Sequence, residues 1–230
     1  MPNKIYSYTF RDSMPEDEIL TEDVILIDTH NFTTTAIEAL DNGAKSIIPL
    51  NSLKGGLPNK IDILAGDEDS TLRNHPEDMK KSTVKNKNVG INSWNGTKAA
   101  HSIRSLNGGD NIYLASLTNA GIVSLEFKNN NEITFVLSGS NGNVPPEDVI
   151  TMQLIINLFN CKNKNELNKV CDVYKELYKS YVLKTYNTLM DYCDKQPFGN
   201  QKNHAHNFAS QINSKSIIPV MGTENKFQIK

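Results

Sequence analysis

The sequence predicts an α/β fold: a three-layer α/β/α domain on a largely parallel or mixed sheet, with a C-terminal helical extension. Three observations predict it. An apolar run, a short Ser/Thr/Asn/Gly loop and a helical pattern follow one another four times before residue 160. Strands that alternate with helices in this way build largely parallel sheets with helices on both faces. Beyond about residue 160 the strand-like runs give way to a helical period sustained over 163–195. Residues 1–160 then form one α/β domain, and 161–230 form a helical extension and tail packed on the same domain.

Taken in order, "VILID" (24–28) is the first strand, "THNFT" the loop and "TTAIEALDN" a helix stopped by Gly43. Two shorter strands follow, "SIIPL" (46–50) and "IDILA" (61–65). "NVGINS" (88–93) leads through "WNG" into "TKAAHSIRSL", which ends at Asn107-Gly108-Gly109. "NIYLAS" (111–116) leads directly into "LTNAGIVSLEF". "EITFVLS" (132–138) passes through "GSNGNVP" into "PEDVITMQLIINLF", with Pro146 at a first helical position that needs no N–H. In such sheets ligands bind beyond the carboxyl ends of the strands, so all four polar loops are expected to gather there.

In the extension, Leu167, Val170, Val173, Tyr174, Leu177 and Tyr181 recur at helical spacing. They read as the packing stripe of one long amphipathic helix, or of two joined near Ser180. After Pro197 the chain is polar apart from "SIIPVM" (216–221), which reads as a loose extension, a swapped edge strand or a dimer contact.

Composition narrows the function. The 230 residues are 38% hydrophobic and 22% charged with a net charge of −2, which predicts a soluble protein with no electrostatic draw towards nucleic acid or membrane. Only Arg11, Arg73 and Arg104 carry the guanidinium fork that nucleic-acid readers favour. The opening "MPNKIYSYTF" has no basic segment followed by an apolar stretch, and no apolar run is long enough to span a bilayer, so a cytoplasmic protein is expected. Cys161, Cys171 and Cys193 are odd in number and lack metal-ligand spacing, which predicts reduced, packed thiols.

Asp28 ends a buried-type strand, where an aspartate either caps the turn or meets a ligand. Thr33, Thr34 and Thr35 either cap the next helix or offer hydroxyls beside its free amides to an anion. Asn95, Gly96 and Thr97 repeat that logic. Lys98 would stand in a first helical turn, where a cation is unfavourable unless an anion is near. "SGSNGN" (138–143) is a third glycine-bearing junction, and the first-turn acids Glu147 and Asp148 suit the helix dipole. Asp67, Glu68 and Asp69 either ligate a hard cation such as Mg²⁺ or form a solvated acidic loop. His30, His75 and His101 are acid–base candidates, the first two in loops. His204-x-His206 has no partner ligands at a metal spacing. The absence of a Walker loop, a Gly-x-Ser-x-Gly turn and a Cys-x-x-Cys pair weakens the nucleotide, hydrolase-triad and redox alternatives.

Several of these segments together resemble the Mg²⁺-dependent 2-phosphosulfolactate phosphatases. That family has a strand ending in Asp, two residues, Arg, one residue, three Thr and a helix ending in Asn-Gly-Ala; this chain has "IDTHNFTTTAIEALDNGAK". "WNGTKAA", "LASLTNAGIV" and "LSGSNGNVPPEDV" follow the family's later motifs in order over residues 20–160. The resemblance implies hydrolysis of a small phosphorylated acid, with Asp28, Asp67 and Glu147 as Mg²⁺ ligands. Asp28, His30 and His75 would be catalytic. Asn31, Thr33, Thr34, Thr35, Asn74, Asn95, Gly96, Thr97, Lys98, Ser138 and Gly139 would bind the anion. With the apolar stripe of the extension, it also implies a homo-oligomer. The chain departs from the pattern where Asn31 replaces an arginine, where Gly-Glu-Arg-Gly-Gly shrinks to "GDEDS", where Gly-Asn-Ser-Pro becomes "RNHP", and where Ser138 replaces a cysteine. These departures imply a divergent branch: a phosphatase with another substrate, or a small-acid tailoring enzyme or binding protein on the same scaffold.

Overall fold

The structure is a computed structural model and describes residues 1–10, 13–17, 21–51, 60–66, 70–106, 111–139, 143–193, 208–222 and 224–230. It is a mixed α/β fold built on one ten-stranded sheet. The strands are β1 (Lys4–Thr9), β2 (Asp23–Ile27), β3 (Ser46–Leu50), β4 (Ile63–Gly66), β5 (Leu72–Arg73), β6 (Asn88–Asn92), β7 (Asn111–Ala115), β8 (Glu132–Leu137), β9 (Pro219–Met221) and β10 (Phe227–Ile229). The helices are α1 (Phe32–Asp41), α2 (Lys81–Val84), α3 (Gly96–Leu106), α4 (Ala120–Phe127), α5 (Pro146–Leu158) and α6 (Lys164–Cys193), the last a single unbroken helix. None of the described helices is long and apolar enough to cross a membrane.

The spatial order is β1-β8-β2-β7-β9-β10-β3-β6-β4-β5. Two sets of four parallel strands, β1-β8-β2-β7 and β3-β6-β4-β5, are joined by the antiparallel β9–β10 hairpin. Because β9 runs against β7 and β10 against β3, the two sets point in opposite senses. The "SIIPVM" island is therefore neither a loose extension nor an edge strand: Met221 pairs with Ile112 and Val220 with Tyr113 at the centre of the sheet. Pro219 starts β9, where its missing N–H breaks the ladder least.

β2 shows why its run is continuously apolar. Val24 to Ile27 are all fully buried, with Val24 and Leu26 in one core cluster and Ile25 and Ile27 in the other. A parallel strand covered on both faces needs apolar residues at every position, each worth about 1.5–3 kcal/mol on burial. α1 and α3 pack in the first cluster, between residues of both strand sets; α4, α5 and α6 cover the other face. Phe227 of the hairpin is fully buried, edge-on to Phe32 with ring centroids 6.0 Å apart.

Strands twist against their neighbours by about 20–25°. Over the five steps from β2 to β6 the rotation reaches roughly 100° or more, which turns the second set about the α1/α3 layer. That turn brings the carboxyl ends of β2 and β6 to one cleft despite their opposite senses.

Candidate active site

A cleft of about 1010 Å³ opens where these ends meet. The β2–α1 turn contributes Asp28, His30 and Asn31, the β6–α3 turn Ser93, Trp94 and Asn95, and the β8–α5 junction Ser138, Gly139, Glu147 and Asp148. The opposite wall is the segment from Ser70 to His75 with Asp78. The fourth polar junction, after β7, is not part of it. Ser116 caps a 3₁₀ turn over Leu117–Asn119, and Asn119 is held by the carbonyls of Leu114 and Ile217. That junction closes on the tail and has no face towards the cleft.

Asp28 stands at the centre of the acidic wall. The backbone amides of Phe32, which starts α1, and of Asn31 just before it hydrogen-bond its carboxylate, so the anion at this helix N-terminus is the chain's own. Burial nevertheless raises its pKa to about 6, against the favourable charge of His30, and the negative charge of Glu147 adds to the rise. The helix α3 starts against it: a Cβ on Gly96 would collide with Asp28 Oδ2 and lie 2.6 Å from Phe32 Cβ. Only glycine permits that approach.

Asp148 is 1% exposed and accepts from the Thr29 amide (2.8 Å) and the Ser138 hydroxyl (3.2 Å). Burial, then the charge of Asp28, pushes its pKa well above the ordinary carboxylate value. Glu147 behaves in the opposite way. Burial opposes its ionisation, but His30 Nδ1 at 3.1 Å and the Tyr181 hydroxyl at 2.8 Å outweigh that and hold it at about 2. His30 Nε2 lies 2.8 Å from the Tyr178 hydroxyl. Burial drives that hydroxyl far above its ordinary pKa, so it stays protonated.

Arg73 is the guanidinium on the opposite wall. Its Nε and Nη2 bond Asp78 at 2.9 and 2.7 Å, and Nη2 also reaches Glu77 at 2.9 Å, which fixes its orientation. Ser70 Oγ and Asn74 Oδ1 are buried on this wall with no hydrogen-bond partner among the described residues.

Of the residues singled out in the sequence, Asp28, His30, Asn31, Asn74, His75, Asn95, Ser138, Gly139 and Glu147 line the cleft. Thr33, Thr34 and Thr35 do not. Thr33 bonds the Asp28 carbonyl at 2.8 Å and Thr34 the Thr29 carbonyl, so these two brace the turn beneath the cleft; Thr35 is buried in α1 with no side-chain hydrogen bond among the described residues. Thr97 is likewise internal, its hydroxyl 3.0 Å from the carbonyls of Leu50 and Ser93. Lys98 points elsewhere, its ammonium 5.4 Å from the Trp94 ring centroid and its side chain beside a smaller cavity with His101. Asp67, His204 and His206 lie outside the described residues. Among the described residues no group of three or more His, Cys, Asp or Glu side chains is arranged as a metal cage. Cys161 and Cys171 are free thiols away from the cleft.

Sequence reasoning gave Asp148 and Tyr181 only structural roles and did not single out Tyr178. The helix dipole was reason enough for an acid at position 148, and the tyrosine stripe is explained by packing. The one available signal was the hydroxyl itself, because a tyrosine at a buried helical position needs a polar partner.

Fold and cleft together define an α/β protein with a large cleft at converging strand ends, lined in part by buried carboxylates. The model of the 2-phosphosulpholactate phosphatase family matches residues 8–224, and the chain belongs to that family. A Clostridium perfringens (strain SM101 / Type A) relative called "Probable 2-phosphosulfolactate phosphatase" is 31% identical over 172 residues, 68% of each chain. A Pseudothermotoga lettingae relative with the same description is 27% identical over 231 residues, 93% of this chain and 95% of its own.

Proposed function

We propose that the protein is a phosphoric monoester hydrolase acting on a small phosphorylated hydroxy acid, with Mg²⁺ at the acidic wall of the cleft. The observation that carries this reading is the meeting of Asp28, Glu147 and Asp148 at the mouth of β2 in a chain of the phosphatase family. Burial, then the charge of Asp28, raises the pKa of Asp148, and Glu147 adds to the rise at both; hard oxygen donors crowded in this way suit a divalent cation. Mg²⁺ is commonly held by one or two carboxylates, with water and a substrate phosphate completing its shell. Asp28 and Glu147 would supply those oxygens, with Asp148 adding charge behind them. When bound, the ion neutralises charge on the transferring phosphoryl group.

The chain's own residues do the rest. Arg73, already oriented by Asp78, meets the anion from the opposite wall. Ser70 and Asn74 offer a hydroxyl and a carbonyl oxygen to the hydroxy-acid portion. His75, on the same wall, donates the proton to the leaving oxygen. Both ring nitrogens of His30 are held by Glu147 and Tyr178, so His30 orients the site rather than moving that proton.

A second reading, a different small acid on the same scaffold, is favoured by Asn31 in the arginine position of the family pattern and by Lys98 turning away from the cleft. Phosphate release from a panel of phospho-acids, including 2-phosphosulfolactate, with Mg²⁺ or with chelator, separates the two. The first reading expects Mg²⁺-dependent turnover of at least one member and a Mg²⁺-dependent thermal shift. No turnover on any member together with no shift removes it.

A further inference from the structure

We infer that Tyr178 and Tyr181 of α6 are positioning residues for the cleft, holding the two ends of the His30–Glu147 pair. The inference rests on reading this cleft as the reacting site. The four side chains form one hydrogen-bonded run: Tyr178 hydroxyl to His30 Nε2 at 2.8 Å, His30 Nδ1 to Glu147 Oε1 at 3.1 Å, and Tyr181 hydroxyl to Glu147 Oε2 at 2.8 Å. The rings add shape to it. His30 stacks on Tyr181 at an interplanar angle of 17° and meets Tyr178 edge-on with centroids 5.9 Å apart.

The run ties together three elements distant in the chain: the β2–α1 turn, the first turn of α5 and the middle of α6. Residues three apart on a helix share a face, so one face of α6 delivers both hydroxyls. Much of the rest of that helix is exposed, with Val173 66% and Leu177 48% accessible, whereas Tyr178 is 1% accessible. Packing alone would be met by phenylalanine at both positions. A buried hydroxyl is costly unless bonded, and these two are bonded to the same imidazole–carboxylate pair on the cleft wall. Glu147 is close enough to Asp28 and Asp148 for its charge to oppose theirs. A carboxylate beside like-charged neighbours is repelled unless it is held, and α6 holds it through Tyr181.

The test uses the full chain with Tyr178→Phe and Tyr181→Phe, and Tyr174→Phe as control. Tyr174 also sits on α6, bonded to Asn157 and away from the cleft. Loss of one positioning bond is expected to lower kcat for phosphate release about fivefold to tenfold, to change KM less than about twofold, and to shift the His30 ring ¹⁵N signals, assigned with His30→Gln. The control is expected to leave kcat and those signals unchanged. Wild-type kcat and unmoved signals in both variants overturn the proposal, as does an equal kcat loss in the control. If the wild type releases phosphate from no ester, the function reading fails and the ring signals alone decide: movement in both variants supports positioning, and no movement refutes it.

Discussion

Asp28→Asn separates what Asp28 does for stability from what it does for activity. Its pKa in the folded protein is about 6, against an ordinary value of 3.8, because burial and, less strongly, the charge of Glu147 oppose its ionisation. The folded state therefore binds the extra proton between those two values. The unfavourable contribution is absent below about pH 4 and fully present above pH 6. At about 1.4 kcal/mol per pH unit the 2.2-unit difference amounts to about 3 kcal/mol. Asparagine removes that penalty but replaces one of the oxygens that face the Asn31 and Phe32 amides, a loss of about 1 kcal/mol. The net expectation is about 2 kcal/mol of added stability at pH 8, or about 4–8 °C in Tm for a chain of this size. The advantage should vanish near pH 4. Paired urea and thermal unfolding of both proteins across that range measures it, alongside phosphate release, which is expected to fall at least about 100-fold. A variant less stable than wild type at pH 8, or offset by the same amount at both pH values, refutes the reasoning.

Glu147→Gln has the opposite sign. The carboxylate is held at about 2 against an ordinary 4.5, so it contributes stability above pH 4.5 that is lost as pH falls towards 2. The variant should lose up to about 3 kcal/mol at pH 7 and nothing at pH 2, read by chemical unfolding. Gly96→Ala should cost about 2 kcal/mol in the same assay, because its methyl group would collide with Asp28 Oδ2 and lie 2.6 Å from Phe32 Cβ. Asn31→Arg adds a guanidinium to the cleft at a position whose present side chain makes no capping bond, so inhibition by inorganic phosphate should tighten about tenfold. Unchanged inhibition would place position 31 outside the anion's reach.

The legible part of the fold was whatever local periodicity encodes. β2, β6, β7 and β8 lie within a residue or two of their apolar runs, and β3 falls on "SIIPL". β1, with its mixed exposed and buried pattern, and the two-residue β5 carry too little periodicity to be seen. β9 and β10 have only three residues each and exist as strands because β7 and β3 pair with them. The cleft was legible in the same degree. Asp28, Asn95, Ser138 and Glu147 could be placed near a ligand because each ends a strand or starts a helix. Thr33, Thr34, Thr35 and Thr97 match them as a pattern, yet all four are buried and the hydroxyls of Thr33, Thr34 and Thr97 turn inward to backbone carbonyls; only the three-dimensional turn decides between those directions.

The sequence by itself determined the α/β class, the strand-loop-helix junctions and the family motifs, since all of these are relations between near neighbours in the chain. Tertiary structure alone decided that two oppositely directed strand sets share one cleft, that the tail joins them through the β9–β10 hairpin, and that α6 reaches His30 and Glu147. These contacts depend on sheet twist accumulated over several strands and on hydrogen bonds spanning more than a hundred residues, 148 between His30 and Tyr178. No window along the chain contains them.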